Sequence, residues 1–420
     1  MVVGERMRRV LLAMMSAVLA GSACVHVEVE TPAQIRVAAL DTAGQGREQS
    51  PGVVVATAIG DADAMTIEVE AAGLASIAQS RATTEDTAFL WFSITKLFTA
   101  TAIMQLHERG RLDIDAPVRE LLGEEWPLPE RGRAVTARDL LSHSSGLGNP
   151  PVWAAAWPAG HERPSVEQQL AALFEAHGPR LRYPTGRGEG YSNLGFLALG
   201  RMIELADEHG RSYEAYIEDE ILAVLGMSRT GFHWAPLLED GAIGHSRKGS
   251  FWTRLATRVA NPVVFDEPLP KWITSVPFEV EGSPYGGLIG TAEDLAKFLA
   301  AHLGYGAWQG RRILSPASVA QMQTLQRDDR GRPLDYALGW HTQLIDGERY
   351  FNHMGKGGGY RPAVRIWPGR GYGIVVLTNR TAYDPRPLTR RVPPLSPPTE
   401  SGATPPISAV EPAQGPHSSH

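Results

Sequence analysis

Apolar positions fall into two rhythms along this chain. Val53 to Ile59 is a β-branched run closed by Gly60-Asp61, and Thr66-Ile67-Glu68-Val69-Glu70 alternates polar with apolar, so the two read as neighbouring strands. Near the far end, Arg349 to His353, Tyr360 to Ile366 and Tyr372 to Thr378 read as three more, the last two joined by the turn Pro368-Gly369-Arg370-Gly371. Strands from both ends of the chain are therefore expected to share one antiparallel sheet. The middle reads as helices. Ser93 to Arg109 is apolar on most faces and ends at Gly110, a good C-cap, so it should be a buried helix. Ser212 to Leu225 and Ala292 to Leu303 read as helices too, and Thr136 with Asp139 and Thr291 with Asp294 are N-terminal capping pairs. Phe232 to Tyr285 is irregular and aromatic, with Trp234, Trp252 and Trp272 expected mostly to pack.

The ends differ from this body. Arg6, Arg8 and Arg9 precede an apolar run from Val10 to Ala20 and the small residues Gly21, Ser22 and Ala23, the build of an export signal over residues 1–23. Cys24, the only cysteine, stands at its cut site; it is either a lipid-attachment residue that tethers the protein to a membrane or a bystander after a plain signal. Residues 24–50 are expected to be a linker, 51–380 the folded domain with its sheet drawn from 51–75 and 345–380, and 381–420 a Pro-rich disordered tail, most marked from Asp384. With 43% apolar and 20% charged residues the domain has ample core material, and a net charge of -6 excludes a basic nucleic-acid surface.

Three elements carry chemistry. Ser93 and Lys96 are three apart, so on a helix the hydroxyl and the amine share a face. A serine needs a base to become a nucleophile, and a lysine can be that base once burial lowers its pKa. Only five lysines occur, and Lys96 alone has a serine three positions before it. Tyr191-Ser192-Asn193 follows Gly186, Gly188 and Gly190. A phenol beside an ammonium can relay a proton, and the Asn193 amide can orient a substrate carbonyl. His353-Met354-Gly355, then Lys356 and three glycines, runs a strand into a close-approach loop, where the Lys356 N–H can join that of Ser93 in an oxyanion hole.

Each element alone has a bland reading; together they form a constellation. Ser-x-x-Lys, then Tyr-x-Asn 98 residues on, then His-x-Gly a further 162 on resembles the serine β-lactamase and penicillin-binding-protein-like family, in its class C and D-alanyl-D-alanine carboxypeptidase branch. Phe98-Thr99-Ala100, Asp139 to Leu147, Leu225-Gly226-Met227 and Gly286-Gly287-Leu288 are similar to that family as well, over roughly Pro51 to Asn379. The resemblance implies an α+β fold, a five-stranded antiparallel sheet flanked by helices plus a helical region, with the site between them. It implies a hydrolase that forms an acyl-enzyme on Ser93, with Lys96 and Tyr191 handling the proton and either one the primary base. His353 would tune charge near Tyr191, and Asn193, His353, Gly355 and Lys356 would contact substrate.

Three departures matter. Phe92 precedes the serine where a small residue is frequent, Met354 replaces a carboxylate-binding hydroxyl, and the family's terminal helix is not legible after Asn379. Met354 favours an esterase or an unusual peptidase over a β-lactamase. The expected substrate is a small molecule or peptide, cell-wall-derived ones included, with no cofactor, no metal and no nucleic acid, in the periplasm or cell envelope. The competing class is a penicillin- or cell-wall-fragment-binding sensor without turnover.

Overall fold

The computed structural model describes residues 28–394 apart from 45, 47, 62–63, 150–155, 178–179, 250–264 and 266–268; the expected export segment, Cys24, Trp252 and the Pro-rich stretch from 395 lie outside the described residues. The central feature is an antiparallel sheet of β1 (Gly52–Ile59), β2 (Thr66–Ser76), β3 (Arg81–Ala82), β4 (His341–Ile345), β5 (Glu348–Met354), β6 (Ala363–Trp367) and β7 (Tyr372–Thr378). Its order is β4-β5-β6-β7-β1-β2-β3. The sheet has seven strands, not five. The added edges are the two-residue β3 and β4, which joins β5 through Asp346-Gly347, a pair at φ 51° and 81° between the partners Ile345 and Glu348. That two-residue turn is what a tight hairpin requires, and Asp-Gly is its usual chemistry.

β1 and β7 pair at the centre, Val55 opposite Val376, so the first and last long strands lock the two chain ends together. Both faces of β1 are covered, which explains its unbroken apolar run. Val54, Ala56, Val375 and Leu377 face the larger core, whereas Val53, Val55, Ile374 and Val376 face a smaller one on the opposite side.

Five helices frame the sheet and the site: α1 (Pro32–Leu40), α2 (Thr95–Glu108), α3 (Asn193–Ala206), α4 (Ala292–Leu303) and α5 (Arg386–Thr389). α4 has the bounds its pattern predicts, opened by the Thr291 cap on Asp294. It lies against β7 and β1, and the stacked rings of Phe98 and Phe298, 4.0 Å apart, couple it to α2. The Ser212–Leu225 run is helical but loosens into a π-turn at Glu218–Leu222. Trp234 and Trp272 are buried, so they pack as expected.

The two ends of the chain differ from expectation. Residues 24–50 are not simply a linker: Thr31 and Gln34 form a capping box for α1, Pro32 sits in its first turn, and Ile35 and Ala39 are fully buried against the sheet. Arg36, 6% exposed, bridges Thr57, Glu68 and Glu70. Residues 381–394 are likewise ordered rather than tail. Leu388 of α5 and Val392 join Ile35 in the smaller core, and Arg391–Val392 pairs in parallel with Glu28–Val29. Both ends were missed because each contributes only a few apolar residues, too few for a periodic signal. Together they cover the face where a terminal helix was expected. If α1 is integral, Ile35→Ala should lower stability by about 2–4 kcal/mol in urea unfolding; a change below about 0.5 kcal/mol would show α1 to be peripheral.

Candidate active site

The nucleophile candidate is set by a turn tied to a distant segment. The Trp91 N–H donates to the Leu288 carbonyl at 2.8 Å and its indole N–H to Gly290 at 3.1 Å. Phe92 then takes φ 47°, a left-handed conformation unusual for a bulky residue. A 3₁₀ turn over Phe92–Ile94 carries Ser93 and runs into α2. The chain thus turns sharply at Phe92, the residue that departs from the pattern of the family it resembles. Gly355 presses against this turn: a Cβ there would lie 2.3 Å from the Trp91 carbonyl oxygen and 3.0 Å from the Phe92 Cβ. Only glycine permits that approach, and it brings Lys356 beside the turn that presents Ser93.

Lys96 lies one turn into α2 and is fully buried. Its Nζ is 3.3 Å from Ser93 Oγ and donates to the Tyr285 carbonyl at 2.8 Å. The rings of Tyr191, Phe196 and Tyr285 stand around it at 4.9, 5.4 and 5.4 Å. Burial drives its pKa well below the usual lysine value, and no carboxylate opposes that fall. The carbonyl that receives Lys96 is held by the same helix: Thr95 Oγ1 accepts from the Leu288 N–H at 3.1 Å, and Thr99 Oγ1 donates to the Pro284 carbonyl at 2.6 Å.

Tyr191 and Asn193 arrive at the start of α3, which Ser192 caps by accepting from the Gly195 N–H. Asn193 Oδ1 is buried without a hydrogen-bond partner among the described residues, and the buried Tyr191 Oη faces the Ser93 hydroxyl. Burial raises the Tyr191 pKa, which the neighbouring Ser93 hydroxyl only partly offsets. The phenol therefore keeps its proton. His353, at the end of β5, is 1% exposed. Its Nδ1 lies 3.2 Å from the Met354 carbonyl. A carbonyl can only accept, so Nδ1 carries the proton and the buried, unpartnered Nε2 keeps its lone pair. Burial and the neighbouring His341 hold this ring neutral. Lys356 is exposed, so its backbone rather than its side chain belongs to the buried site.

Three further residues complete the surroundings. His143, at φ 56°, accepts the Ser192 N–H on Nδ1 at 3.3 Å and packs against Tyr191, Phe196 and Tyr336. His341 on β4 lies parallel to the Tyr191 ring at 6.3 Å and edge-on to His353 at 5.0 Å; burial lowers its pKa to about 4. Tyr336 joins His143 to His341. His143 falls in a stretch the sequence marks, Asp139 to Leu147, but nothing local to His341 or Tyr336 signals a site.

A lysine held neutral in the fold but charged when unfolded binds fewer protons folded than unfolded. Stability attached to it therefore rises with pH towards the unfolded lysine value and falls as pH drops. Lys96→Met should accordingly be more stable than the parent protein at pH 7 in urea titrations, and the difference should shrink by pH 10. A variant less stable than the parent at pH 7 would mean that Lys96 is charged and paired.

Comparison with known proteins places this geometry. Residues 37–392 match the family model described as Beta-lactamase. Penicillin-binding protein 4 of Amycolatopsis lactamdurans is 29% identical over 308 residues, 71% of this chain and 74% of that one. Unguisins hydrolase ungD of Aspergillus violaceofuscus is 26% identical over 360 residues, 79% of this chain and 58% of that protein's length. Among solved structures, the octameric penicillin-binding protein homologue from Pyrococcus abyssi superposes with a TM-score of 0.66 at 23% identity, covering 86% of this chain and 76% of that one. With the fold, the order of its elements and a family match across most of its length in agreement, this chain belongs to the beta-lactamase family.

Proposed function

We propose that the protein is a serine hydrolase that cleaves an ester or amide through an acyl-enzyme on Ser93. The observation that carries this reading is the buried, uncompensated Lys96 amine 3.3 Å from Ser93 Oγ. As a neutral amine it has a lone pair to take the Ser93 proton as Oγ attacks the carbonyl carbon. Tyr191, still protonated, passes its proton to the leaving group and is reprotonated through Lys96. This assigns the primary base to Lys96 and the acid to Tyr191. The N–H groups of Ser93 and Lys356 face the developing oxyanion, the Asn193 amide orients the substrate, and water releases the acid in the second half. No step calls for a metal or a cofactor.

The substrate proposed is a small ester, amide or peptide. The names of the relatives favour hydrolysis as well as penicillin binding, and Met354 weighs against a substrate anchored by its carboxylate. Export, and tethering through Cys24, belong to the same proposal and rest on Arg6, Arg8, Arg9 and the apolar run after them.

Intact mass after exposure to a fluorophosphonate, to a penicillin and to p-nitrophenyl butyrate, with p-nitrophenol release followed in parallel, tests the reading. A fluorophosphonate adduct on Ser93 with steady ester turnover is expected. Ser93→Ala should reduce turnover by roughly three orders of magnitude or more, and Tyr191→Phe by roughly 10²- to 10⁴-fold, with folding retained. Full turnover in Ser93→Ala would overturn the assignment, and a lasting penicillin adduct without turnover would establish the sensor reading instead.

A further inference from the structure

Lys96 is held by a segment that is itself anchored from outside the site. Its amine bonds the Tyr285 carbonyl, and Thr99 bonds the Pro284 carbonyl, both in the short helix Ser283–Gly286. Ser283 of that helix is tied on the far side. Its hydroxyl donates to Glu214 Oε1, from the helix Tyr213–Ile217, and accepts from Arg163 Nη1 at 3.1 Å. Arg163, 7% exposed, also gives Nη1 to the Val280 carbonyl at 3.1 Å, Nη2 to Glu214 Oε1 at 3.0 Å and Nε to Glu279 Oε2 at 3.3 Å. Glu279 is buried, and its Oε1 accepts the Trp234 N–H at 3.2 Å. In the strand Phe278–Val280 the side chain before it, Phe278, points to the other face and meets Gly358, two residues after Lys356. The ion cluster therefore stands directly behind the wall of the site.

Charge balance singles out one more member. Glu214 and Glu279 share the single Arg163 guanidinium, which leaves one negative charge in excess where burial makes it costly. His233 lies against both carboxylates: Nδ1 is 3.3 Å from Glu279 Oε2 and Nε2 is 3.5 Å from Glu214 Oε2. An acceptor at each ring nitrogen is satisfied only by the imidazolium, which donates from both. Its bond to Glu214 and the charge of Glu279 raise the His233 pKa above the ordinary histidine value, against burial and Arg163. Glu218 also feels the ring's charge and favours it.

We propose that His233, as an imidazolium, is a positioning residue for the Ser93–Lys96 pair: it joins Glu214 and Glu279 into one clamp that holds Ser283, and through Ser283 the Tyr285 carbonyl, against Lys96. The catalytic consequence rests on the hydrolase reading; the clamp does not. Linkage gives the sign. A histidine whose folded pKa is raised contributes stability that is fully present below its unfolded pKa and is lost as pH rises through the folded one. Deprotonation leaves the excess negative charge uncompensated, Glu214 loosens its hold on Ser283, and the Lys96 amine loses its fixed acceptor.

The test is kcat and KM for p-nitrophenyl butyrate from pH 5 to pH 10, corrected for uncatalysed hydrolysis. Parent kcat should fall by about tenfold, within the roughly 10²-fold cost of a 1 Å misplacement, on an alkaline limb above the ordinary histidine pKa, with KM little changed. His233→Gln keeps an amide beside the carboxylates but no charge; it should run at the lower rate throughout, without that limb. His233→Lys is a cation over most of this range and should restore the rate and hold it beyond the parent's limb. The position is 55% exposed, so neither change crowds the core. A limb that persists in His233→Gln overturns the proposal, as does a His233→Gln variant with the parent's rate at pH 6. Equal losses in His233→Gln and His233→Lys at every pH, with native circular dichroism, would show a role in packing alone and overturn it too. Should His233→Gln misfold, NMR titration of the parent imidazole decides: a His233 titration that coincides with the limb upholds the proposal, and one at or below the ordinary histidine value overturns it. A parent protein without turnover at any pH sinks the hydrolase reading alone, and the same titration, raised or not raised, still decides the clamp.

Discussion

A lysine side chain carried into the interior beside Tyr191, Phe196 and Tyr285 must either find a carboxylate or lose its proton, because an unpaired ammonium in a low dielectric is far more costly than a neutral amine. Among the described residues Lys96 meets no carboxylate; its amine bonds the Tyr285 carbonyl and the Ser93 hydroxyl. Its neutrality is therefore a property of the fold. The packing that enforces it is α2 itself, whose buried residues Thr95, Lys96 and Thr99 bond Leu288, Tyr285 and Pro284 in turn. One face of one helix fixes both the position and the protonation state of the proposed base.

The remaining electrostatics follow from that constraint. The titratable neighbours nearest to hand are three imidazoles, His143, His341 and His353, each with its pKa lowered by burial first and by its basic neighbours second. A cluster of bases with no acid among them can share at most one proton without mutual repulsion, so protonating any of the histidines disfavours protonating Lys96. Burial likewise leaves Tyr191 as a protonated phenol, the Ser93 hydroxyl offsetting only part of the rise. The proposed acid and base are thus separated by environment, as paired catalytic groups require, although neither has a charged partner among the described residues.

Much of this was legible in the sequence where the signal is local. The Ser93–Lys96 spacing, the glycine at 355 and the capped start of α4 each rest on residues within a few positions of one another, and each is where the pattern put it. What was illegible is tertiary. Whether Lys96 would be charged depended on the distant Tyr285 segment, and the Tyr191 pKa went up rather than down because burial outweighed its neighbours. His341 gave no sign because its importance lies in the β4–β5 hairpin, whose Asp346-Gly347 turn is a readable signal that placed no strand before it. α1 and the 386–392 segment escaped for a different reason: each is held by two or three buried contacts, Ile35, Ala39, Leu388 and Val392, below what periodicity can register.

Those weakly signalled ends have a mechanical role that the site makes visible. Gly355 must press against the Trp91 carbonyl for Lys356 to stand beside Ser93, and β5, which ends one residue before Gly355, lies next to the outermost strand of the sheet. Its neighbour β6 has its other flank on β7, and β7 on β1. Cover from α1 and the 386–392 segment lies on the opposite face of those same strands, where Trp367, Tyr372 and Ile374 meet Ile35 and Leu388. Loss of that cover would act on the proposed oxyanion position through the sheet, without touching Ser93 or Lys96. A family member without a recognisable terminal helix can therefore keep its site in register, provided that the two chain ends together shield the face the helix would have covered.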